Sequence, residues 1–160
     1  MEYRLIRPEY DAAVADLVRR SLKAAQLDIP GTAYYDEALD HLSAYYDHPG
    51  RAYYVLLEQG RVIGGVGLAE YAERPGCCEL QKLYLDAEYR GRRLGYDMME
   101  FIERKARETG YRRIYLETHT TLEAAIHLYE KCGYQRVPRP ASAIHGTMNR
   151  FYLKELDAAC

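Results

Sequence analysis

Tryptophan is absent from this 160-residue sequence and phenylalanine occurs only twice, whereas tyrosine occurs 17 times. Tyrosine therefore replaces phenylalanine at many apolar positions. A tyrosine ring can fill a core, but its hydroxyl group needs a hydrogen-bond partner or water. We expect most of these tyrosines to be structural and some of their hydroxyl groups to line a polar pocket.

Long apolar runs and an excess of one charge are also missing. No apolar run approaches the roughly 18 residues of a membrane span, and the N-terminal MEYRLIRPEY lacks the apolar centre of a signal peptide. The 22 Lys and Arg residues nearly balance the 24 Asp and Glu residues, giving a formal net charge of −2. No global basic field attracts nucleic acid. We expect a cytoplasmic protein with neither a membrane nor a nucleic acid as its partner.

The motifs of several enzyme classes are absent. The sequence contains no G-x-x-x-x-G-K-[ST] loop, no G-x-S-x-G nucleophile elbow and no H-E-x-x-H helix. Its four cysteines lack C-x-x-C spacing, and its five histidines do not cluster. We therefore expect free thiols and no metal site. The length suits a single domain over residues 1–160.

Hydrophobic periodicity predicts alternating strands and helices. Apolar residues at helical spacing predict helices over residues 11–25, 32–46, 94–108 and 120–132. The last of these opens on Thr120 of a T-x-x-E capping box. Strands are predicted at residues 2–7, 52–58, 61–71, 79–85, 112–118, 134–137 and 147–156. This order predicts an α/β fold in which a mixed sheet carries helices on both faces.

Two further features concern the predicted strands. Gly64, Gly65 and Gly67 are too dense for an ordinary strand and indicate either a bulge or a ligand close to the backbone. In the strand at residues 79–85, alternation places Glu79, Gln81, Leu83 and Leu85 on one face if no bulge intervenes.

Residues 79–95, ELQKLYLDAEYRGRRLG, combine a β-prone run, an acidic turn, a basic loop and the start of a helix. The first turn of a helix has unpaired N–H groups, and its dipole favours an anion. Gly91 and Gly95 let the backbone approach a ligand closely, and the arginines at positions 90, 92 and 93 add positive charge. The loop is either a diphosphate site or a solvated basic turn.

This segment resembles the acyl-CoA-binding motif of the GNAT N-acetyltransferase superfamily, of the small single-domain bacterial type, which reads Arg/Gln-x-x-Gly-x-Gly/Ala. Arg90 matches the first position and Gly95 the last, whereas Arg93 replaces the middle glycine. The resemblance continues through residues 111–118 and through LEAAIHLYEKCGY at residues 122–134. These segments follow one another in the order and spacing of the family.

The resemblance implies an acyl-CoA N-acyltransferase fold with a mostly antiparallel central sheet. Two neighbouring parallel strands, at residues 79–85 and 112–118, would splay apart and admit acetyl-CoA. The backbone of Leu83, Tyr84 and Leu85 would then pair with the pantetheine arm. The diphosphate would lie on a loop formed by Arg90, Gly91, Arg92, Arg93, Leu94, Gly95 and Tyr96. Because Leu122 stands where the family usually has Asn, one cofactor contact is expected to be missing.

Two catalytic roles also follow from the resemblance. Tyr129 matches the family tyrosine beside the sulfur atom and is the candidate general acid, since a phenol of pKa about 10 is protonated at neutral pH. Glu79 is the candidate base, acting through water, with Glu117 and His119 as reserves. The alternatives are a core tyrosine for Tyr129 and an ordinary surface carboxylate for Glu79.

An acceptor pocket in this family is built by the first two helices and the closing hairpin. Its candidate residues are Tyr34, Tyr35, Tyr45, Tyr46, His145 and Asn149. We expect an N-acetyltransferase that moves an acetyl group to a primary amine of a small molecule or peptide in a ternary complex. A homodimer is a family-level expectation. A non-catalytic acyl-CoA sensor is the alternative, and an RNA-binding role for the arginine loop is weaker.

Overall fold

Seven strands form one mixed sheet in the computed structural model, which describes residues 1–143 and 146–157. The strands are β1 (Glu2–Leu5), β2 (Ala52–Glu58), β3 (Arg61–Glu70), β4 (Cys77–Leu85), β5 (Arg113–Thr118), β6 (Gln135–Val137) and β7 (Arg150–Glu155). Their order is β1-β2-β3-β4-β5-β7-β6. Only β4 and β5 are parallel neighbours within these ranges, and the other pairs are antiparallel. The predicted mixed, mostly antiparallel sheet is confirmed.

Helical segments cover both faces of this sheet, as predicted. The α-helices are α1 (Pro8–Ala24), α2 (Leu42–Tyr45), α3 (Leu94–Thr109) and α4 (Glu123–Lys131). One apolar cluster joins α3 and α4 to the sheet and includes Met98, Ile102 and Leu116. A second cluster, which includes Val18 and Leu39, joins α1 and the segment before β2 to the opposite face. The apolar sides of these amphipathic helical segments thus pack on the two faces of the one sheet.

Helix ends follow local chemistry. Helix α1 begins at Pro8, earlier than predicted, because proline is tolerated in the first turn, where its missing N–H would have no partner. Helix α3 ends as predicted at Gly110, whose φ of 100° is the left-handed C-cap that glycine adopts freely. Within residues 1–143 and 146–157, no helix has the length and apolar character needed to cross a membrane.

The prediction of one helix over residues 32–46 is wrong. The structure has a 3₁₀ turn at Ala33–Tyr35, another at Glu37–His41, and only then the short α2. Asp36 is extended, with φ of −63° and ψ of 129°, and His41 also leaves helical geometry, with φ of −138°. These two breaks interrupt a sequence whose apolar residues still fall at helical spacing.

The capping box predicted at Thr120 is also wrong. Helix α4 begins at Glu123, and its N-cap residue Leu122 makes no side-chain capping bond. The backbone N–H of Thr120 instead donates to Oδ1 of Asn149, whose Nδ2 donates to the Thr120 hydroxyl at 3.2 Å. Thr120 therefore ties the loop before α4 to the segment that enters β7.

Candidate functional site

Strand β4 contains one residue more than its neighbour β3 over the same stretch. Gly65 pairs with Tyr84 and Gly67 pairs with Gln81. One residue of β3 therefore lies between these pairs, whereas two residues of β4 do. Lys82 has a φ of 50°, in the left-handed region that residues with a side chain rarely adopt. The extra residue therefore forms a β-bulge at Lys82.

The bulge reverses the side-chain alternation of β4. Gln81 accepts a hydrogen bond from the Tyr46 hydroxyl on the α1 side of the sheet. Leu83 and Leu85, in contrast, pack against the cluster beneath α3 and α4. The common face for Glu79, Gln81, Leu83 and Leu85 was predicted only if no bulge intervened. The bulge is present, and the inserted residue turns Leu83 and Leu85 to the face opposite Gln81.

Strands β4 and β5 part after three paired residues, as expected for splayed parallel strands. Their register ends with Glu79 opposite Tyr115, although β4 continues to Leu85 and β5 to Thr118. Beyond Glu79, no register pair joins β4 to β5 in the described ranges. The backbone groups on this edge of residues 80–85 therefore face a gap that an extended ligand could pair with.

The basic loop leads directly into the N-terminus of α3. Arg93 is the N-cap residue and has φ of 62° and ψ of 9°, a left-handed conformation usually taken by glycine. As in any α-helix, the first N–H groups, those of Leu94, Gly95 and Tyr96, have no acceptor inside the helix. Gly95 also permits close packing, since a Cβ there would lie 3.3 Å from Cδ2 of Leu128 in α4. The residues predicted to bind an anion thus lie at the N-terminus of α3, and Arg93 there adopts a backbone conformation that glycine usually takes.

The arginines of the loop keep their charge available. Arg90, Arg92 and Arg93 are exposed, and none of them has an ion-pair partner among the described residues. Arg92 lies over the ring of Tyr89 at 5.0 Å from its centroid, and Arg93 lies over Tyr96 at 5.4 Å. These cation–π contacts orient two guanidinium groups beside the helix N-terminus.

Tyr129 of α4 belongs to the apolar cluster that also contains Leu80 and Leu116, the first residues of β4 and β5 beyond their last pair. Its side chain is 5% exposed, and burial raises the pKa of Tyr129 well above its usual value. Its hydroxyl has no hydrogen-bond partner in residues 1–143 and 146–157. No fully buried side-chain oxygen in those ranges lacks a partner, so this hydroxyl still reaches open space.

Tyr84 is a second phenol, which packs against the apolar cluster on the α1 side of the sheet. Burial raises the pKa of Tyr84 above its usual value, and nearby Tyr129 and Asp36 raise it further. Asp36 in turn pairs with Nζ of Lys82 at 3.1 Å, with both side chains mostly buried. The bulge is thereby connected to the 3₁₀ segments that precede α2.

Glu79 stands at the end of a hydrogen-bond chain. The Tyr46 hydroxyl donates to Oε1 of Gln81 at 2.7 Å, and Nε2 of Gln81 donates to Oε1 of Glu79 at 2.8 Å. Glu79 is half-buried and lies at the last paired position before the gap. Its carboxylate is therefore oriented, rather than free to rotate on the surface.

The reserve candidates make local bonds. Oε2 of Glu117 accepts from the Tyr115 hydroxyl at 2.8 Å. Nδ1 of His119 accepts from the backbone N–H of Thr121 at 3.1 Å. Asn149, expected in the acceptor pocket, hydrogen-bonds with Thr120 in the loop before α4. These bonds give all three residues structural contacts.

The tyrosines expected around the acceptor separate into different positions. Tyr46 is buried and reaches Gln81, whereas Tyr35 is 60% exposed and contacts Tyr34 at 5.1 Å between ring centroids. Tyr45 lies beneath the guanidinium group of Arg51. His145, the remaining candidate, lies outside the described residues. Among the predicted tyrosines, Tyr46 is connected to Glu79 through Gln81.

Sequence reasoning missed two residues at the bulge of β4. Lys82 forms the bulge, and the hydroxyl of Tyr53 in β2 donates to the Lys82 carbonyl at 2.8 Å. Lysine carries no sequence signal for positive φ, and Tyr53 is one of many tyrosines. The dense glycines Gly64, Gly65 and Gly67 were the available signal, and a bulge is indeed present beside them.

A sequence model described as the Acetyltransferase (GNAT) family matches residues 15–134. The chain belongs to the GNAT acetyltransferase family. It is 40% identical over 103 residues to the uncharacterized N-acetyltransferase YjgM of Escherichia coli (strain K12). That match covers 64% of this chain and 62% of the relative, so the chain spans less than two thirds of that protein.

Solved structures support the same GNAT fold. A GNAT-family acetyltransferase from Staphylococcus aureus superposes with a TM-score of 0.84 at 19% identity, covering 98% of this chain and 99% of that one. The PaiA N-acetyltransferase of Thermoplasma acidophilum, solved with coenzyme A, gives a TM-score of 0.74 at 17% identity, covering 96% and 98% of the two chains. At these identities the likeness concerns the fold alone.

Proposed function

We propose that this protein transfers an acetyl group from acetyl-CoA to a primary amine of a small molecule or peptide, by direct attack in a ternary complex. The observation that carries the proposal is the parting of β4 and β5 beside Tyr129, whose hydroxyl has no hydrogen-bond partner among residues 1–143 and 146–157. Membership of the GNAT family and the coenzyme A bound to the Thermoplasma relative support this proposal.

Two parts of the gap fit the two ends of acetyl-CoA. The free edge formed by Leu83, Tyr84 and Leu85 suits the amides of the pantetheine arm, which could pair with it as a strand does. The loop over residues 90–96 suits the diphosphate, because α3 offers unpaired N–H groups and the exposed arginines add positive charge. Arg93 does not disqualify the loop, since its backbone adopts the glycine-like conformation.

The proposed reaction requires proton transfers at two places. The amine nitrogen forms a bond to the thioester carbon, and Glu79 removes a proton from that nitrogen through water. The carbon–sulfur bond then breaks. Tyr129 donates its proton to the departing thiolate. Because burial raises the pKa of Tyr129, its hydroxyl remains a donor at neutral pH. A backbone N–H of the bulged strand polarises the carbonyl oxygen, and holding both substrates together supplies much of the rate.

Thiol release from acetyl-CoA, measured over a panel of primary amines and short peptides, tests the proposal. We expect turnover with at least one amine, and we expect Tyr129→Phe to lower kcat by about 10²-fold while leaving the Kd for CoA nearly unchanged. Tyr152→Phe is the matched control. Tyr152 lies in the same cluster, but its hydroxyl donates to Glu130, so kcat should be retained.

Unchanged kcat in Tyr129→Phe would remove this residue from the mechanism. Selective CoA binding without turnover on any amine would instead favour the non-catalytic acyl-CoA sensor.

A further inference from the structure

Tyr53 lies flat across the sheet and joins two strands that are not neighbours. It belongs to β2, is completely buried, and faces the α1 side. Its ring crosses β3, and its hydroxyl donates to the backbone carbonyl of Lys82 in β4 at 2.8 Å. A side chain of β2 therefore contacts the bulge of β4, the strand whose other edge borders the proposed cofactor gap.

Two glycines of β3 make this crossing possible. A Cβ built on Gly65 would lie 2.5 Å from the Tyr53 hydroxyl oxygen, and one built on Gly67 would lie 2.6 Å from its Cδ2 atom. Neither position can carry a side chain while the ring lies there. Gly64 differs, because its nearest neighbours are the Tyr84 carbonyl and the side chains of Leu85 and Met98. Gly65 and Gly67 are therefore accounted for by Tyr53 and not by an approaching ligand.

The partner of this hydroxyl is a carbonyl that the bulge removes from regular pairing. Lys82 is left-handed, with φ of 50°, and is skipped in the register between β3 and β4. A buried carbonyl without a partner is unfavourable, and Tyr53 supplies the missing donor. Nζ of Lys82 is also fixed by Asp36, so backbone and side chain of the bulge residue are each tied to the α1 side.

We propose that Tyr53 is a positioning residue for acetyl transfer, which holds the β4 bulge so that the following backbone N–H groups face the thioester carbonyl. This inference rests on the proposed function. Tyr53 acts through the Lys82 carbonyl and touches neither substrate. Gly65 and Gly67 belong to the same device, because they provide the slot in which the ring lies.

Tyr53→Phe tests the inference, since it keeps the ring and removes only the hydroxyl. We expect kcat to fall by about 10- to 100-fold, because small displacements of catalytic donors have effects of this size. The KM for acetyl-CoA should change less than threefold, on the order of ordinary experimental differences. Tyr54→Phe is the matched control, because Tyr54 is the next residue of β2 and packs edge-on against Phe101 on the opposite side. Its kcat should equal that of the wild type.

A rescue experiment separates positioning from general stability. In the Tyr53→Phe background, Lys82→Gly and Lys82→Ala both remove the contact with Asp36, but only glycine adopts the left-handed conformation freely. We expect Lys82→Gly to recover part of the lost kcat and Lys82→Ala to recover none. Equal kcat in the two double variants, or a lower melting temperature of Tyr53→Phe with unchanged kcat, would overturn the inference.

Failure of the proposed function can be told apart from failure of this inference. If the wild-type protein turns over no amine, the enzymatic proposal fails, and the bulge is then followed by amide hydrogen exchange. Faster exchange at residues 82–84 in Tyr53→Phe, with the Tyr54→Phe control unchanged, would support the holding role of the hydroxyl. Unaltered exchange at those residues would contradict it.

Discussion

Two non-glycine residues with left-handed backbone, Lys82 and Arg93, lie at the two ends of the proposed cofactor gap. Such a conformation costs roughly 1–2 kcal/mol for a residue with a side chain. Contacts offset part of this cost: Tyr53 donates to the Lys82 carbonyl, and the guanidinium group of Arg93 lies over Tyr96. The sequence showed Arg93 as a departure from the family loop. It could not reveal that the backbone of Arg93 would adopt the left-handed conformation that glycine usually takes.

Arg93→Gly and Arg93→Ala form a pair that measures this strain. Both variants lose the guanidinium group and its contact with Tyr96, but only alanine retains the left-handed penalty. We expect Arg93→Gly to exceed Arg93→Ala in free energy of unfolding by about 1 kcal/mol, measured by urea denaturation. Equal stability of the two would mean that residue 93 leaves the left-handed region when its side chain is shortened.

At the scale of elements, the segment between α1 and β2 shows where periodicity misleads. Its apolar residues follow helical spacing, yet Asp36 and His41 leave helical geometry and divide it into short turns. What fixes α2 is a contact from another helix. Asp11 of α1 is buried and accepts hydrogen bonds from the backbone N–H of Ser43 at 2.8 Å and from its hydroxyl at 2.6 Å. Partners 32 positions apart are invisible to local pattern analysis.

Asp11→Ala should therefore destabilise α2 and the segment between α1 and β2. Loss of this remote cap is expected to lower the free energy of unfolding by about 1–2 kcal/mol. It should also raise the KM for the amine more than the KM for acetyl-CoA, because Tyr46 follows α2 directly. Asp16→Ala, which removes an exposed i,i+4 partner of Arg20 on the same helix, should change stability by less than about 0.5 kcal/mol. Equal losses in the two variants would contradict the capping role.

At the scale of the whole molecule, the order of strands and helices was predictable from the sequence. Apolar residues recur at a clear spacing in α1, in α3 and in the hairpin of β2 and β3. The gap itself needed the family resemblance, since nothing in the strand at residues 79–85 indicates where its pairing with β5 ends. The chain from Tyr46 to Glu79 and the Tyr53 contact both depend on strands distant in sequence. Such long-range hydrogen bonds determine the arrangement of the site, and a local sequence pattern does not predict them.

The many buried tyrosines give the protein a predictable response to alkali. Burial raises the pKa of Tyr3 to about 12 and places the pKa values of Tyr46, Tyr53 and Tyr134 well above the ordinary value. Above pH about 10 the unfolded chain releases phenolic protons that the folded protein retains, so stability falls as pH rises. Each of the buried tyrosines Tyr46, Tyr53 and Tyr134 lowers the free energy of unfolding by about 1.4 kcal/mol per pH unit until it ionises in the folded state.

We therefore expect the urea midpoint to be nearly constant between pH 7 and 9 and to fall steeply from pH about 10 upward. Denaturation curves at closely spaced pH values would follow this change, with tyrosinate absorbance reporting ionisation. Tyrosinate absorbance equivalent to all 17 tyrosines that develops near pH 10 without unfolding would contradict the raised pKa values of the buried phenols.

We infer above all that the gap between β4 and β5, together with the N-terminus of α3, binds acetyl-CoA. Isothermal titration calorimetry with acetyl-CoA, with CoA and ATP as comparisons, tests it most directly. We expect one site per chain, a Kd on the order of micromolar for both CoA compounds, and binding of ATP at least about tenfold weaker. Absence of binding, or equal affinity for ATP, would contradict the claim and leave the enzymatic proposal resting on the fold alone.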